Sequence, residues 1–290
     1  AWQIGAHTVM IIGSLLAILP FILLVIASFT DNQTALVNGY SFTPEKWSLE
    51  AYQYIASEWA TIGRAYLMTI LVTVIGTALS LVITSTFAFA VSNDKLPGHK
   101  ILMFLCIFTM LFNGGLVASY YVYSNIFHIK NTIWALIVPT FLMSPFNVVL
   151  VKNYFSNSIS PSILEAARMD GAGVFAVFTK IVMPLSVPIM ATVGLMTAIG
   201  YWNDWTNGLY YLTENGGSRY YTIQLVLNRI NENINFLANN SDVAAKAAQQ
   251  LPSTTMRMAI AVIGILPIMC AYPFFQKYFV KGITLGGVKE

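Results

Sequence analysis

Charge is what this chain has least of. Asp, Glu, Lys and Arg make up 9% of its 290 residues, against roughly a quarter in ordinary soluble domains. Fifteen basic residues against twelve acidic ones leave a formal charge of only +3. That excludes a disordered chain, which stays unfolded by being polar and charged. It also excludes a nucleic-acid binder, whose affinity rests on many phosphate contacts. Cysteine is nearly absent as well. Cys106 and Cys270 both lie in apolar runs and read as small buried hydrophobes, with no redox or metal role. His7, His99 and His128 are too scattered in sequence to suggest a ligand cluster. No Gly-x-x-x-x-Gly-Lys-Ser/Thr loop occurs, so a nucleotide triphosphate cannot be cradled by that route. No Ser/His/Asp or Cys/His arrangement stands out either, so no catalytic residue, metal ligand or cofactor site is expected in this chain.

What is present is apolar: 57% of the residues are hydrophobic. This rules out a soluble enzyme and points to an all-α polytopic membrane protein, with the lipid bilayer as its first partner. A bilayer core needs about 20 apolar residues per helix. Six stretches meet that length, at about 9–29, 65–92, 101–122, 132–151, 181–203 and 258–276, and none contains an Asp, Glu, Lys or Arg. The first lacks a small-residue cleavage site before Asp31, so it reads as a retained span and not a signal peptide. A short leader or tag is expected ahead of Ala1. Charge-free spans argue against an ion-coupled transporter, because proton and sodium relays usually place an ionisable group inside the membrane, although backbone oxygens can hold sodium. Uphill movement of a solute would then draw its energy from a partner.

Loop charges set the orientation. Lys95, Lys100, Lys152, Arg168, Lys180, Lys277, Lys281 and Lys289 fall on one side, against Lys46, Arg64 and Lys130 in the shorter segments of the other. The positive-inside rule therefore puts the 153–180 loop, the tail at 277–290 and both termini in the cytoplasm. Residues 206–256 become a long outer loop. Tyr120, Tyr121, Tyr123, Trp202, Trp205, Tyr210 and Tyr211 then sit at the outer ends of the third and fifth spans, where amphipathic rings favour the interface.

The 153–180 loop is the most informative segment. Ser160 can cap a helix that starts at Pro161, where a missing N–H costs nothing. Gly171 or Gly173 can end it in the left-handed conformation. About ten residues make a helix about 15 Å long, too short to span a bilayer. Glu165 and Arg168, three apart, share a face and can pair. Such a helix is either a rigid peg for a partner's cleft or a solvated connector.

Glu165-Ala166-Ala167, Asp170-Gly171-Ala172, Phe178, Ile181, Met183-Pro184-Leu185 and Pro188 resemble the EAA loop of ABC-importer permeases, with Met183 where leucine is usual. The resemblance implies a type I importer permease of six transmembrane helices with a cytoplasmic coupling helix. Glu165, Ala166, Ala167, Asp170 and Gly171 would then engage a cytoplasmic ATPase. Glu165 would pair with a basic residue of that ATPase, and Gly171 would make the turn after the helix. Asn113-Gly114-Gly115, Asn131-Thr132-Ile133-Trp134-Ala135, Trp202-Asn203-Asp204-Trp205 and the ending from Gln276 to Gly286 resemble the maltose-type carbohydrate importers, in particular the second permease of the group handling oligosaccharides and polysaccharide fragments. Their implied partners are a second homologous permease, two copies of an ATPase that binds ATP and Mg, and an extracellular solute-binding protein. The setting implied is a bacterial cytoplasmic membrane. Residues 281–290 would reach the ATPases. An importer of an amino acid, phosphate or metal shares the same loop, and a non-transporting membrane protein can keep it as a peg.

Two further groups are candidates. Ile223, Val226, Leu227, Ile230, Ile234 and Leu237 follow helical spacing, which predicts an amphipathic helix over 222–237. Its other face carries Gln224, Asn228, Asn231 and Asn235. By resemblance this helix docks onto the binding protein. The alternative is that it lies on the membrane surface, which its few basic residues disfavour. A sugar path asks for amides and hydroxyls beside aromatic faces, and Asn113, Tyr120, Asn147, Trp202 and Asn203 are the candidates. Each has a plainer alternative in helix packing or the interfacial belt.

Overall fold

A computed structural model describes residues 2–94, 96–239, 255–270 and 273, apart from the side chains of 234–239. In chain order the helices are α1 (Trp2–Ser28), α2 (Asn32–Asn38), α3 (Glu50–Ser57), α4 (Trp59–Ser92), α5 (His99–Leu111) and α6 (Gly115–Tyr121). There follow α7 (Trp134–Ile137), α8 (Pro145–Ser158), α9 (Pro161–Met169), α10 (Val174–Val177), α11 (Met183–Leu185) and α12 (Val187–Asn203). The last are α13 (Thr206–Tyr211), α14 (Glu214–Gly217), α15 (Ile223–Asn239) and α16 (Thr255–Cys270). Two π-helical turns, Val122–Ile126 and Phe178–Val182, extend α6 and α10. No β-strand occurs among the described residues. An all-helical chain is what lipid demands, since a helix satisfies its own backbone polar groups.

The chain divides into two compact units, one formed by residues 1–66 with 223–270 and one in which residues 67–222 are the described part. In the first unit α1 is apolar all round and exposed along its length, with only Ala27 and Ser28 buried. The backbone bonds Asp31 N–H to Lys46 O (3.0 Å) and Ser48 N–H to Phe29 O (2.7 Å) clasp the segments on either side of α2. Asp31 caps α2 by accepting from Thr34 N at 3.3 Å. Its other oxygen takes Lys46 Nζ at 3.0 Å, and that hydrogen bond holds the carboxyl below its ordinary value. Ala51 and Ile55 of α3, Ile62 and Ala65 of α4, Ile223 of α15 and Met256, Ala259 and Ile260 of α16 form the core here.

In the second unit the core joins α4 (Ala88, Val91), α5 (Cys106), α8 (Val148, Val151, Phe155), α9 (Ala167) and α12 (Met190, Val193). Two glycines let rings approach helices. A Cβ on Gly76 would lie 2.5 Å from Tyr201 Cζ, and one on Gly200 would lie 2.9 Å from Phe141 Cε1. Tyr201 donates its hydroxyl to Ile137 O at 2.8 Å, which ties α12 to α7.

Apolar length alone predicts uninterrupted helices, and three of the six stretches differ from that. The 101–122 stretch breaks after Leu111. There Gly115 takes φ +81° and its N–H is bonded by Asn113 Oδ1 at 2.9 Å. The 132–151 stretch is split by Pro139 and Pro145, which lack the N–H a helix needs. Between them Phe141 N–H bonds Pro139 O at 2.8 Å across Thr140, whose φ is +70°. This is a γ-turn of the rare, strained hand. In the 181–203 stretch, Val174–Leu185 and Val187–Asn203 meet at 79°, where Pro184 and Pro188 follow closely on one another. By length and composition two described helices, α1 and α4, can cross a membrane, and a third can if the bent pair counts as one. Within the long outer segment α15 is the helix that the spacing predicts, and α13 and α14 are helices where a loop is expected. The tail at 277–290 lies outside the described residues.

Candidate functional site

The α9 peg forms as the sequence predicts. Pro161 opens it, and its nine residues measure about 14 Å. Ser160 holds the N-cap position but makes no capping bond; its hydroxyl lies 2.7 Å from that of Ser162 instead. The other end closes firmly. Ala172 N–H bonds Ala167 O at 2.9 Å and Gly171 N–H bonds Arg168 O at 3.1 Å, with Gly171 at φ +81°. This is the paired-bond glycine stop, which satisfies carbonyls the helix leaves open.

One face of α9 is anchored and the other is free. Ala167 is buried in the core, and Leu164 and Ala172 pack against it. Glu165, Ala166 and Asp170 are exposed. Glu165 has no ion pair among the described residues, so the local pairing expected with Arg168 does not form. Two large apolar side chains of the same loop are bare as well: Met169 is 88% exposed and Phe175 77%. Exposed apolar side chains of this size suit a protein partner.

The second feature is a cavity of about 900 Å³ in the second unit. Its wall includes Thr109 of α5, Asn113 and Ser119 around the first helix break, Pro139 and Thr140 at the γ-turn, and Asn207, Tyr210 and Tyr211 of α13. Among the described residues no Lys, Arg, Asp, Glu or His lines it. Such a wall offers hydroxyls, amides and ring faces, with no fixed charge. Tyr211 is set by its neighbours: Tyr120 stacks on it at 5.8 Å, and Tyr123 meets it edge-on at 6.0 Å. Lys130 Nζ donates to Tyr120 Oη at 2.7 Å. Asn131, at φ +60°, ties this region together. Its N–H bonds Tyr211 O at 3.0 Å, and its Oδ1 accepts from Thr213 N at 2.7 Å.

Of the five expected path residues, Asn113 lines the cavity and Tyr120 stands behind its wall. Asn147 does not line it; the side chain is buried and donates to Thr197 Oγ1 at 3.3 Å, a bond between α8 and α12. Trp202 is buried at 8% exposure, Asn203 is exposed, and neither lines the cavity. Asn207, Tyr210 and Tyr211 do line it, although the sequence reads Tyr210 and Tyr211 as interfacial rings and puts Asn207 in the outer loop. Asp204 caps α13, accepting from Thr206 N at 3.0 Å and Asn207 N at 3.2 Å. That Asp-x-x-Asn spacing was the available signal. Burial pushes the Asp204 carboxyl up, against the bonds from Asn207 and Thr206 that draw it down.

The helix expected over 222–237 is α15, with Ile223 and Leu225 buried and Val226, Leu227 and Ile230 partly so. On its polar face Asn231 is exposed and Gln224 half-buried, while Asn228 donates to Glu232 Oε1 at 3.0 Å. The Asn235 side chain lies outside the described residues.

The chain is similar over nearly its whole length to known transport proteins. It is 37% identical over 276 residues to the polygalacturonan/rhamnogalacturonan transport system permease protein YtcP of Bacillus subtilis (strain 168), covering 95% of this chain and 94% of that protein. It is 35% identical over 274 residues to Protein LplC of the same organism, covering 94% and 90%. A crystal structure of a bacterial ABC transporter involved in the import of the acidic polysaccharide alginate contains a chain that superposes with a TM-score of 0.81. That chain is 28% identical, and 96% of each chain is covered. The family model described as binding-protein-dependent transport system inner membrane component matches residues 75–285. An all-α chain with apolar spans, a glycine-stopped peg and that match belongs to the family of binding-protein-dependent transport system inner membrane components.

Proposed function

We propose that the chain is the transmembrane permease subunit of an ATP-driven importer of oligosaccharides or polysaccharide fragments. It crosses the bacterial cytoplasmic membrane six times, by α1, α4, α5 with α6, α7 with α8, the bent pair ending in α12, and α16. Both termini lie in the cytoplasm. The observation that carries the sugar reading is the cavity, whose wall has amides, hydroxyls and tyrosine rings and, among the described residues, no charge. Rings cover the flat apolar faces of sugars, while amides and hydroxyls both donate to and accept from hydroxyl groups. The relatives named for polygalacturonan/rhamnogalacturonan and for alginate support the same class.

In this reading α9 is the coupling helix. Glu165, Ala166, Ala167, Asp170 and Gly171 form the ATPase-facing element, and the exposed Glu165 carboxylate meets a basic group there. ATP and Mg are bound by two ATPase copies and not by this chain. Closure of the ATPases favours one of two permease states, which is all a ligand can do to a pre-existing equilibrium. A second homologous permease completes the cavity. The Gln224, Asn228, Asn231 and Asn235 face of α15 receives the extracellular binding protein.

The test is reconstitution of this chain with the second permease, the ATPases and the binding protein in lipid vesicles. ATP-dependent uptake of oligogalacturonides, alginate oligomers and maltotetraose is then compared with uptake of amino acids and phosphate. Uptake of at least one of the sugars supports the reading. An assembled importer that moves only non-sugar solutes overturns it.

A further inference from the structure

Asn207 is 4% exposed, yet it forms part of the cavity wall. Its Nδ2 is taken twice, donating to Asp204 Oδ2 at 2.7 Å and making a longer contact with Pro139 O at 3.5 Å. Its backbone N–H goes to Asp204 Oδ1 at 3.2 Å. Its Oδ1 has no partner among the described residues. An ionised carboxylate only accepts hydrogen bonds, so Asp204 decides which way the amide points and leaves Oδ1 as the atom available to the cavity. The neighbours of Asp204 are fixed in turn: Thr206 N donates to Oδ1 at 3.0 Å, and Thr222 Oγ1 lies 3.4 Å from the Asp204 carbonyl.

We infer that Asn207 is a specificity-determining residue, presenting Oδ1 as a fixed acceptor to one hydroxyl of a sugar in the cavity, with Asp204 as its positioning residue. This rests on the sugar-importer reading. A wall amide with one committed end tells a donating hydroxyl from its absence at that ring position. A freely turning amide accommodates either. The unmatched acceptor would be left buried against a deoxy sugar, which is why the discrimination falls on the sugar lacking the hydroxyl.

The experiment uses the assembled importer in vesicles and a set of monodeoxy analogues of trigalacturonate, reading half-saturation separately from maximal rate. In the wild type, one deoxy position is expected to raise half-saturation by about three- to tenfold, the scale of one neutral hydrogen bond. In Asn207→Ala that position costs nothing further, while the other positions cost what they do in the wild type. Asp204→Asn is nearly isosteric and lets the amide turn, so it should shrink the same ratio even if Asn207→Ala fails to assemble. Loss of the ratio at one shared position in either variant supports the inference. An unchanged ratio at every position in an assembled variant, or no position at which the wild type discriminates, overturns it and leaves the importer reading intact. Absence of uptake of any sugar by the wild type overturns the parent reading, and this one with it.

Discussion

Replacing Gly76 by alanine puts a methyl group where Tyr201 stands. The added Cβ would lie 2.5 Å from Cζ, 2.7 Å from Cε2 and 2.8 Å from Cε1 of that ring, whereas carbon atoms settle about 3.5–4.0 Å apart. The ring would have to withdraw by about 1 Å. Little gives way around it, because Tyr201 is 1% exposed and packs against Phe141 at 5.2 Å. Its hydroxyl also bonds Ile137 O at 2.8 Å, and that bond does not survive such a shift. Overpacking costs about 1–3 kcal/mol, and an unmatched buried hydroxyl costs about 1–3 kcal/mol more. Alanine returns about 1 kcal/mol of helix propensity. A net loss of about 1–5 kcal/mol is therefore expected. It is read as unfolding midpoint in denaturant, with the protein in lipid nanodiscs. Gly194→Ala is the matched control, since its Cβ meets only the tip of Leu81 at 3.2 Å, which can rotate aside. In a Tyr201→Ala background the Gly76→Ala penalty should vanish, as a double-mutant cycle isolates a direct contact. Equal stability of Gly76→Ala and Gly194→Ala would refute the reasoning.

Three other outcomes follow from the geometry. Glu165→Lys should abolish ATP-driven uptake while the chain still assembles in membranes, because the carboxylate is exposed and no internal ion pair among the described residues is lost; uptake at the wild-type rate would argue against the coupling role. Gly171→Ala should cost about 1 kcal/mol for holding a left-handed backbone, and Gly171→Asn less. Nothing lies within 4 Å of the added Cβ, so only conformation is tested, and equal melting temperatures for the three would contradict it. The lowered Asp31 carboxyl contributes stability above about pH 4 and loses it as pH falls through the folded-state value. The melting-temperature gap between wild type and Lys46→Met should therefore close on acidification, and a gap independent of pH would rule out the Lys46 bond as its source.

The peg was legible almost residue by residue, because its boundaries depend on local chemistry: proline tolerated at the first helical position and glycine at the left-handed stop. The cap was misread for an equally local reason, since Ser160 Oγ found Ser162 in place of a backbone N–H. Path residues fared worse. Asn147, a polar group in an apolar run, took the helix-packing alternative by bonding Thr197 on α12, and nothing local announces a partner fifty residues away. Asn207 was hidden by the assumption that a connection after an apolar run is a loop. Its capping partner, three residues earlier, marked the start of a helix. On α15 the apolar spacing was right for Ile223, Val226, Leu227 and Ile230, yet Leu225, fully buried, belonged to no stripe.

The breaks in the apolar stretches and the cavity have one physical cause. A span read by length is blind to backbone continuity, so 101–122 and 132–151 counted as unbroken helices. Inside a bilayer an interrupted helix leaves N–H and C=O groups that lipid cannot satisfy, and such breaks persist only where protein or a water-filled cavity receives them. Both interruptions meet that condition here. Asn113, Gly114 and Gly115 at the first, and Pro139 and Thr140 at the second, all line the same cavity. Side chains also answer part of the exposed backbone: Asn113 Oδ1 takes Gly115 N–H, and Asn207 Nδ2 approaches Pro139 O. The strain of a threonine at φ +70°, about 1–3 kcal/mol, is carried at the cavity wall and not in the packed core below it. Asn-Gly-Gly and the Pro139/Pro145 pair are thus the sequence trace of the cavity. Asn113 stands at a break that opens onto the cavity and lines it, whereas Asn147 lies within α8 and is bonded to Thr197 of α12.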